Sequence, residues 1–410
     1  MNTLVKSAEA LQSELVNHRQ YFHRNPEVGL NLPITSEYVF KTLEEMGCKP
    51  QRITDSGIVV VLGKGTIDKT ILIRGDMDAL KIKEEADCLY KSENGNMHAC
   101  GHDMHTTMLL GAAKLLKERE NEIEGYVKLM FQPAEETMEG AHSMIEAGVL
   151  QNPRVDAAMM IHVMSGMPFP VGTIMVSGTG PTMAGCDWFK ITIKGKGAHG
   201  AMPQTGVDPL NIMAHIYLGL QEIISREVDT TDTAVLTVGV MEGGTINNVI
   251  PDKAELRGTL RTFTKKNRDF IVNRIQEVAE GIAKTYRAEA TIEFSNHAPA
   301  FISDAKSVEF AKEFLAEYFG EKSFIPMDLI MPGSKGMGSE DFAFISQEVP
   351  SITIMIGAGN SNDGYIYPMH HPKVFFDEAV LSKGAAVYAG YAIEWLKKIN
   401  RLFESDIIGG

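Results

Sequence analysis

Eight residues constrain this chain more than any other stretch. His98, Cys100, His102 and His105 place three of the twelve histidines and one of the four cysteines in one short run. A thiolate and imidazoles are borderline-soft donors that suit zinc, nickel, cobalt or manganese. A one-residue spacer lets Cys100 and His102 face the same side of an extended segment. Met108, Leu109, Ala112, Leu115 and Leu116 follow as an apolar stripe at helical spacing, so the pair precedes a helix N-terminus, where unpaired N–H groups favour a thiolate. Two donors do not complete a metal site. The fold must bring the others from distant segments.

The candidates stand where strands are expected to end. Lys69–Arg74 reads as a β-branched strand running into Asp76 and Asp78. Tyr126–Phe131 is a strand stopped by Gln132-Pro133 and followed by Glu135-Glu136. Asp156–His162 is an apolar strand that ends in a histidine, and a strand over Ser351–Ile356 precedes His370-His371-Pro372. In open α/β sheets, sites form at the carboxyl ends of strands. The residues alone therefore propose Cys100, His102, Glu136 or Glu135, His162, and His370 or His371 as metal donors. Adjacent carboxylates point in different directions, so one can bind metal while its neighbour takes a proton from water. Asp76 and Asp78 read as groups that orient the donors or the base. His23, in Phe22-His23-Arg24-Asn25-Pro26-Glu27, reads as structural, and Cys48, Cys88 and Cys186 as packing residues.

The expected fold class is α/β, a largely parallel central sheet with helices on both faces. Its first helix covers residues 1–23, its second runs from about Thr35 to Met46 with a Thr35 or Ser36 cap, and its last from about Glu378 to Ile399. From Asp187 the texture changes to β-α-β-β-α-β, a ferredoxin-like order, including a helix whose apolar face is Phe270, Ile271, Ile275, Val278, Ala279 and Ile282. The expected division is a discontinuous catalytic domain, 1–186 and 298–410, interrupted by a lid or dimerisation domain, 187–297. In the insert, His199 lies in a glycine-rich loop, Asn248 in a second polar loop, and Arg261 near the end of a strand; each could hold a carboxylate or stabilise an oxyanion.

A formal net charge of −14, with no basic run, argues against nucleic-acid and anionic-membrane partners. Hydrophobic residues at 44% and charged residues at 22% are ordinary for a soluble globular protein. No secretory leader or spanning apolar run is evident, so a cytoplasmic location is expected. Four irregularly spaced cysteines form no disulfide framework. A serine-nucleophile elbow, a P-loop and a dinucleotide-binding glycine pattern are all missing, which sets aside serine hydrolases, NTPases and nucleotide-cofactor oxidoreductases.

The motifs FHRNPE (22–27), RGDMDALKI (74–82), MHACGHDMHTTMLLGAA (97–113), FQPAEE (131–136), IHV (161–163), GKGAHGAMP (195–203), INNVIPD (246–252), RGTLRTF (257–263), GSEDF (338–342) and HHP (370–372) together resemble the amidohydrolase branch of the M20 metallopeptidases. That branch contains hippurate hydrolases, N-acyl-amino-acid deacylases and indole-acetyl-amino-acid hydrolases. The resemblance spans nearly the whole chain in the expected order. It implies a two-metal centre held by Cys100, His102, Glu136, His162 and His370, with manganese, zinc, nickel or cobalt as the ion. Glu135 becomes the general base and Asp78 its supporting acid, while His199, Asn248 and Arg261 become substrate contacts, the His199 loop reaching toward a partner subunit.

The implied activity is metal-dependent hydrolysis of the amide of an N-acyl amino acid or similar small amide, by a homodimer or a higher assembly of it. A dipeptidase or aminoacylase of the wider family is the nearest alternative. A non-catalytic metal-binding homologue is the other, and the intact Glu135 argues against it. Lys81, where proline is usual, and Ala198 and Gly200 around His199 depart from the pattern beside the site, so they bear on substrate fit.

Overall fold

The computed structural model describes residues 3–330 and 335–408. Contacts divide the chain into two units: Met1–Thr182, Ile302–Lys335 and Phe344–Gly410 form the first, and Met183–Phe301 with Gly336–Ala343 the second. The second unit thus starts and ends a few residues outside 187–297 and takes in the GSEDF segment. Backbone pairing explains the addition, because Ala184 N–H donates to the Gly336 carbonyl at 3.0 Å and Phe301 stacks on Phe342 at 5.8 Å. Of the glycine-rich loop that begins at Met331, residues 331–334 lie outside the described residues.

Five strands form the middle of the first unit's ten-stranded sheet: β1 (Ile58–Leu62), β2 (Thr70–Asp76), β3 (Tyr126–Gln132), β4 (Ala157–Met164) and β5 (Ser351–Gly357). They lie in the order β1-β3-β2-β4-β5, parallel except for β1, which runs antiparallel to β3. The chain leaves β2 for β3 on one side, then crosses back to β4 on the other. The carboxyl ends of β2 and β4 therefore flank the point where the winding reverses, the place where such sheets bind ligands. All seven residues of β2 are buried, as expected of a central parallel strand covered on both faces.

Three helices matter for the site: α1 (Gln12–Arg24), α2 (His102–Glu118) and α3 (Leu381–Ile408). Ile71, Ile73, Leu129, Met159 and Ile161 project from the sheet into one core with Leu109 and Leu116 of α2 and Val387 and Leu396 of α3. Tyr388 of α3 ties this core to the strand backbone: its hydroxyl accepts from Ile161 N–H at 2.9 Å and donates to the Arg74 carbonyl at 2.8 Å. On the opposite side parity of β3, buried Lys128 donates to the carbonyls of Val149, Gln151 and Pro153 at 2.7–2.9 Å, closing three backbone acceptors with one ammonium.

Some boundaries differ from expectation. The first helical stretch is two helices, Thr3–Ala10 and α1, separated at Leu11. The helix expected from Thr35 starts earlier, at Pro33, whose fixed φ suits a first helical position; Thr35 and Ser36 are buried inside it and cap nothing. The last helix begins at Leu381 after a short turn over Glu378–Val380 and continues to Ile408.

The second unit is a four-stranded antiparallel sheet, in the spatial order Ala234–Gly243, Lys253–Thr262, Gly185–Lys194, Glu289–Ala298. Helices Pro209–Glu222 and Lys265–Thr285 share its core, capped by Asp208 and Thr264. This is the split βαβ order read from the sequence. The buried stripe of the second helix is Ile271, Ile275, Ala279 and Ala283; Phe270, expected in that face, is exposed, and Val278 and Ile282 sit at its margin. Each i, i+4 step advances about 40° past a full helical turn, so the stripe from Ile271 to Ala283 drifts away from the side of Phe270.

Gly101, the N-cap of α2, has φ +86°. A Cβ there would lie 2.4 Å from Val163 Cγ2, so both dihedral and space require glycine. Gly29 has φ +77° with nothing within 4 Å of its virtual Cβ, which makes it an internal control. In urea unfolding of the metal-free chain, Gly29→Ala should cost about 1 kcal/mol and Gly101→Ala about 2–4 kcal/mol, since only the second adds overpacking to left-handed strain. Equal costs would mean that the crowding at Gly101 relaxes freely.

Candidate metal centre

The centre is assembled at the ends of β2, β3 and β4 and the start of α2. Asp76 is the last residue of β2 and Gln132 the last of β3, directly opposite in register. After β3, Pro133 stops the strand and Ala134 turns the chain at φ +56°. The turn is fastened by Asp78, whose Oδ1 accepts from Glu135 N–H at 3.0 Å and whose Oδ2 accepts from Glu136 N–H at 3.1 Å. The same Oδ1 lies 3.3 Å from His102 Nδ1. One buried carboxylate thus fixes both glutamates and one imidazole.

Five expected donors converge here. Cys100 Sγ is 3.6 Å from His162 Nε2, His102 Nε2 is 3.8 Å from Glu136 Oε1, and His370 Nε2 is 3.5 Å from that same oxygen. Cys100, His102 and His162 offer donor atoms within 4.8 Å of one another, and so do Cys100, Glu136 and His370, which makes Cys100 common to both groups. Glu135, 5% exposed, brings Oε2 to 3.8 Å from His102 Nε2. Of the His370-His371 pair, His370 faces the cluster, whereas His371 accepts from Lys373 N–H and stacks on Tyr367. His370 reaches this position in a left-handed conformation, φ +65°, with its N–H donating to the Ala99 carbonyl at 2.9 Å. Non-glycine strain of this kind persists only where the surroundings impose it.

The donor set fits divalent ions on its own chemistry. His102 Nε2 and Glu136 Oε1 are buried and make no hydrogen bond, an arrangement that costs free energy unless a ligand satisfies them. His162 directs Nδ1 to the Val163 carbonyl at 2.7 Å, which fixes the proton there and leaves Nε2 as a lone pair toward Cys100. Burial, then His105, holds the His162 ring neutral, down to about 3. Burial pushes Glu136 up to about 7 and the Cys100 thiol well above its ordinary range. The thiolate expected from the helix N-terminus is therefore overridden by desolvation until a cation supplies charge. His102 moves the other way: burial opposes its protonation, but Asp76, Asp78 and Cys100 hold it well above 6.5.

A supporting layer was only partly legible. Asp76 Oδ2 accepts from Arg74 at 2.6 Å and Oδ1 from His105 Nδ1 at 2.6 Å, and the far nitrogen of His105 accepts from Val163 N–H at 2.8 Å. Burial pushes Asp76 up, yet Arg74, His102 and His105 hold it well below the usual carboxylate range. Asp103 accepts from Arg19 at 2.9 Å and from His23 at 2.7 Å, a network whose only sequence signal was the FHRNPE motif. In the second unit, His199 and Asn248 meet: Val249 pairs with His199, and Gly200 N–H donates to the Asn248 carbonyl at 2.7 Å. Arg261 is not with them. It pairs opposite Cys186, eight positions along the strand from the Lys253–Lys194 pair beside the His199 loop.

The profile of peptidase family M20/M25/M40 matches residues 72–394. An IAA-amino acid hydrolase ILR1-like 4 of Arabidopsis thaliana is 38% identical over 394 residues, covering 94% of this chain and 86% of that protein. An N-acetylcysteine deacetylase of Bacillus subtilis is 35% identical, covering 96% and 99%, and a hippurate hydrolase of Campylobacter jejuni is 35% identical, covering 94% and 98%. Among solved structures, a Bacillus subtilis protein described as a dinuclear metal-binding M20 peptidase superposes with TM-score 0.78 at 33% identity, over 95% of this chain and 99% of that one. With the fold, the reversal-point site and the donor set in agreement, the chain belongs to peptidase family M20/M25/M40 and is a metal-dependent amidohydrolase.

Proposed function

We propose that the chain hydrolyses N-acyl amino acids to a carboxylic acid and a free amino acid, as a cytoplasmic homodimer with two divalent ions per subunit, drawn from manganese, zinc, nickel and cobalt. Cys100, His102, Glu136, His162 and His370 hold the ions. The observation that carries this reading is the Glu135–Glu136 turn, whose two carboxylates each bring an oxygen to 3.8 Å from His102 Nε2, with Glu136 also 3.5 Å from His370 Nε2. Among the described residues, no helix is long and apolar enough to cross a membrane.

Bound metal supplies polarisation of the amide carbonyl and acidification of water. Glu135 takes the water's proton and passes it to the leaving nitrogen. Asp78 keeps Glu135 aimed by holding its backbone, so its support is positional. Substrate recognition falls to His199, Asn248 and Arg261. At roughly 3.4 Å per residue, the eight positions separating Arg261 from the His199 end correspond to roughly 27 Å, more than one small substrate spans. That spacing supports a homodimer in which each substrate is met by His199 and Asn248 of one chain and Arg261 of the other.

Chelation should abolish hydrolysis of N-acetyl and N-benzoyl amino acids, and manganese or zinc should restore it. Glu135→Gln should lower kcat by about 10²–10⁴-fold with metal content unchanged; normal turnover by that variant would remove Glu135 from the role of base. Metal affinity should also depend on pH through Glu136. Its carboxyl is protonated below about 7 and must ionise to bind, so affinity is retained above that value and loses about one extra factor of ten per pH unit below it. Calorimetric titrations from pH 5.5 to 8 should show this break in the wild type and lose it in Glu136→Gln.

A further inference from the structure

We infer that His23, Glu84 and Cys88 form a third divalent-metal site, of zinc type, separate from the donors of the proposed centre. His23 Nε2 is 3.0 Å from Glu84 Oε1, and Cys88 Sγ is 3.6 Å from that oxygen. All three donor atoms lie within 4.8 Å of one another. Donors 2.0–2.3 Å from a tetrahedral zinc stand about 3.3–3.8 Å apart, so the trio needs only small adjustments. The M20 centre gives an internal scale, since its donors lie at 3.5–3.8 Å.

The trio also has the outer support that metal sites carry. His23 directs Nδ1 to Asp103 at 2.7 Å, the carboxylate–histidine arrangement that fixes the tautomer and aims Nε2 at the ion. The other oxygen of Glu84 accepts from Ser92 N–H at 2.7 Å, which orients the carboxylate toward the trio. Arg19, fully buried, donates at 2.9 Å to the same Asp103 oxygen that meets His23 Nδ1. His23 and Glu84 are buried, and Cys88 is half-buried, which gives an entry path from solvent.

A proton takes the ion's place when no metal is bound. Burial and Arg19 oppose it, but hydrogen bonding with Asp103, Cys88 and Glu84, the two carboxylates accepting from the ring, pushes His23 up to about 10. Metal binding therefore releases one proton from His23 Nε2 and one from the Cys88 thiol to solvent. The bound state is neutral, a 2+ ion with one thiolate, one carboxylate and a neutral imidazole, and water completes the fourth position. A thiolate selects zinc, cobalt or cadmium over manganese. Occupancy would fasten α1 and the segment around residues 84–92 to Asp103, the residue after His102.

Cobalt reports on the thiol directly. Cys100→Ser removes the thiolate of the M20 centre, so a thiolate-to-cobalt charge-transfer band in that variant must come from elsewhere. The expected result is a near-ultraviolet band in Cys100→Ser that vanishes in Cys88→Ser/Cys100→Ser. Wild-type protein should bind one more zinc than Cys88→Ser does, while manganese stoichiometry is the same in both. No band in folded Cys100→Ser, or a band persisting in the double variant, overturns the site. Hydrolysis is not the readout, so failure here is distinct from failure of the proposed activity, which Cys88→Ser should retain.

Discussion

The arrangement of the centre depends on the Asp78 carboxylate. It sits just past the central parallel strand, where neighbouring strand ends leave backbone N–H groups unpaired, and it accepts two of them from Glu135 and Glu136. Because its two oxygens are committed to that turn and to His102, its position fixes three residues of the candidate centre at once. A buried acceptor with several donors is also the cheapest way to keep a charge inside a protein. The sheet supplies the location, Asp78 converts it into geometry, and the rest of the site follows from where the glutamates then point.

That geometry leaves the charges unresolved by protein atoms alone. Cys100 and Glu136 are held toward their neutral forms by burial, while His102 is drawn toward its charged form by Asp76 and Asp78. His102 Nε2 and Glu136 Oε1 have no hydrogen bond although both are buried. Folding tolerates such a cluster because surrounding packing is dense: β2 is buried along its whole length, and Tyr388 fastens the backbone beneath the site. The stability invested in that scaffold offsets the cost of donors preorganised for a cation.

The sequence made the donors legible because their chemistry is rare and their spacing local: Cys100 and His102 stand two apart, and Glu135 and Glu136 are adjacent. The choice between His370 and His371 was open to residue chemistry, since both precede the same proline; it turns on a left-handed backbone and a hydrogen bond to Ala99 that no local pattern encodes. The partners of His23, Glu84 and Asp103, lie 61 and 80 positions away, so no local pattern shows its buried network. The β-α-β-β-α-β order was clear from periodicity, whereas the misplaced Phe270 shows that hydrophobicity locates a helix face only to within about one residue's rotation. Thr35 and Ser36 had the chemistry of caps, but Pro33 starts the helix before them.

The second unit separates two kinds of polar residue that sequence alone placed together. His199 lies in, and Asn248 just before, a two-stranded ribbon that stands outside the main sheet and is flanked by the reciprocal backbone pair of Lys196 and Val207. Arg261 lies in regular ladder between two strands, paired with Val235 on one side and Cys186 on the other. A ribbon with few buried apolar contacts opens at lower free energy than a central strand. Arg261 therefore sits on the fixed part of this unit, and His199 and Asn248 on the part that yields more readily. Sequence departures at Ala198 and Gly200 fall on the ribbon, where a Cβ at Gly200 would lie 2.9 Å from the Asn248 carbonyl oxygen, so a larger residue there requires the backbone to shift.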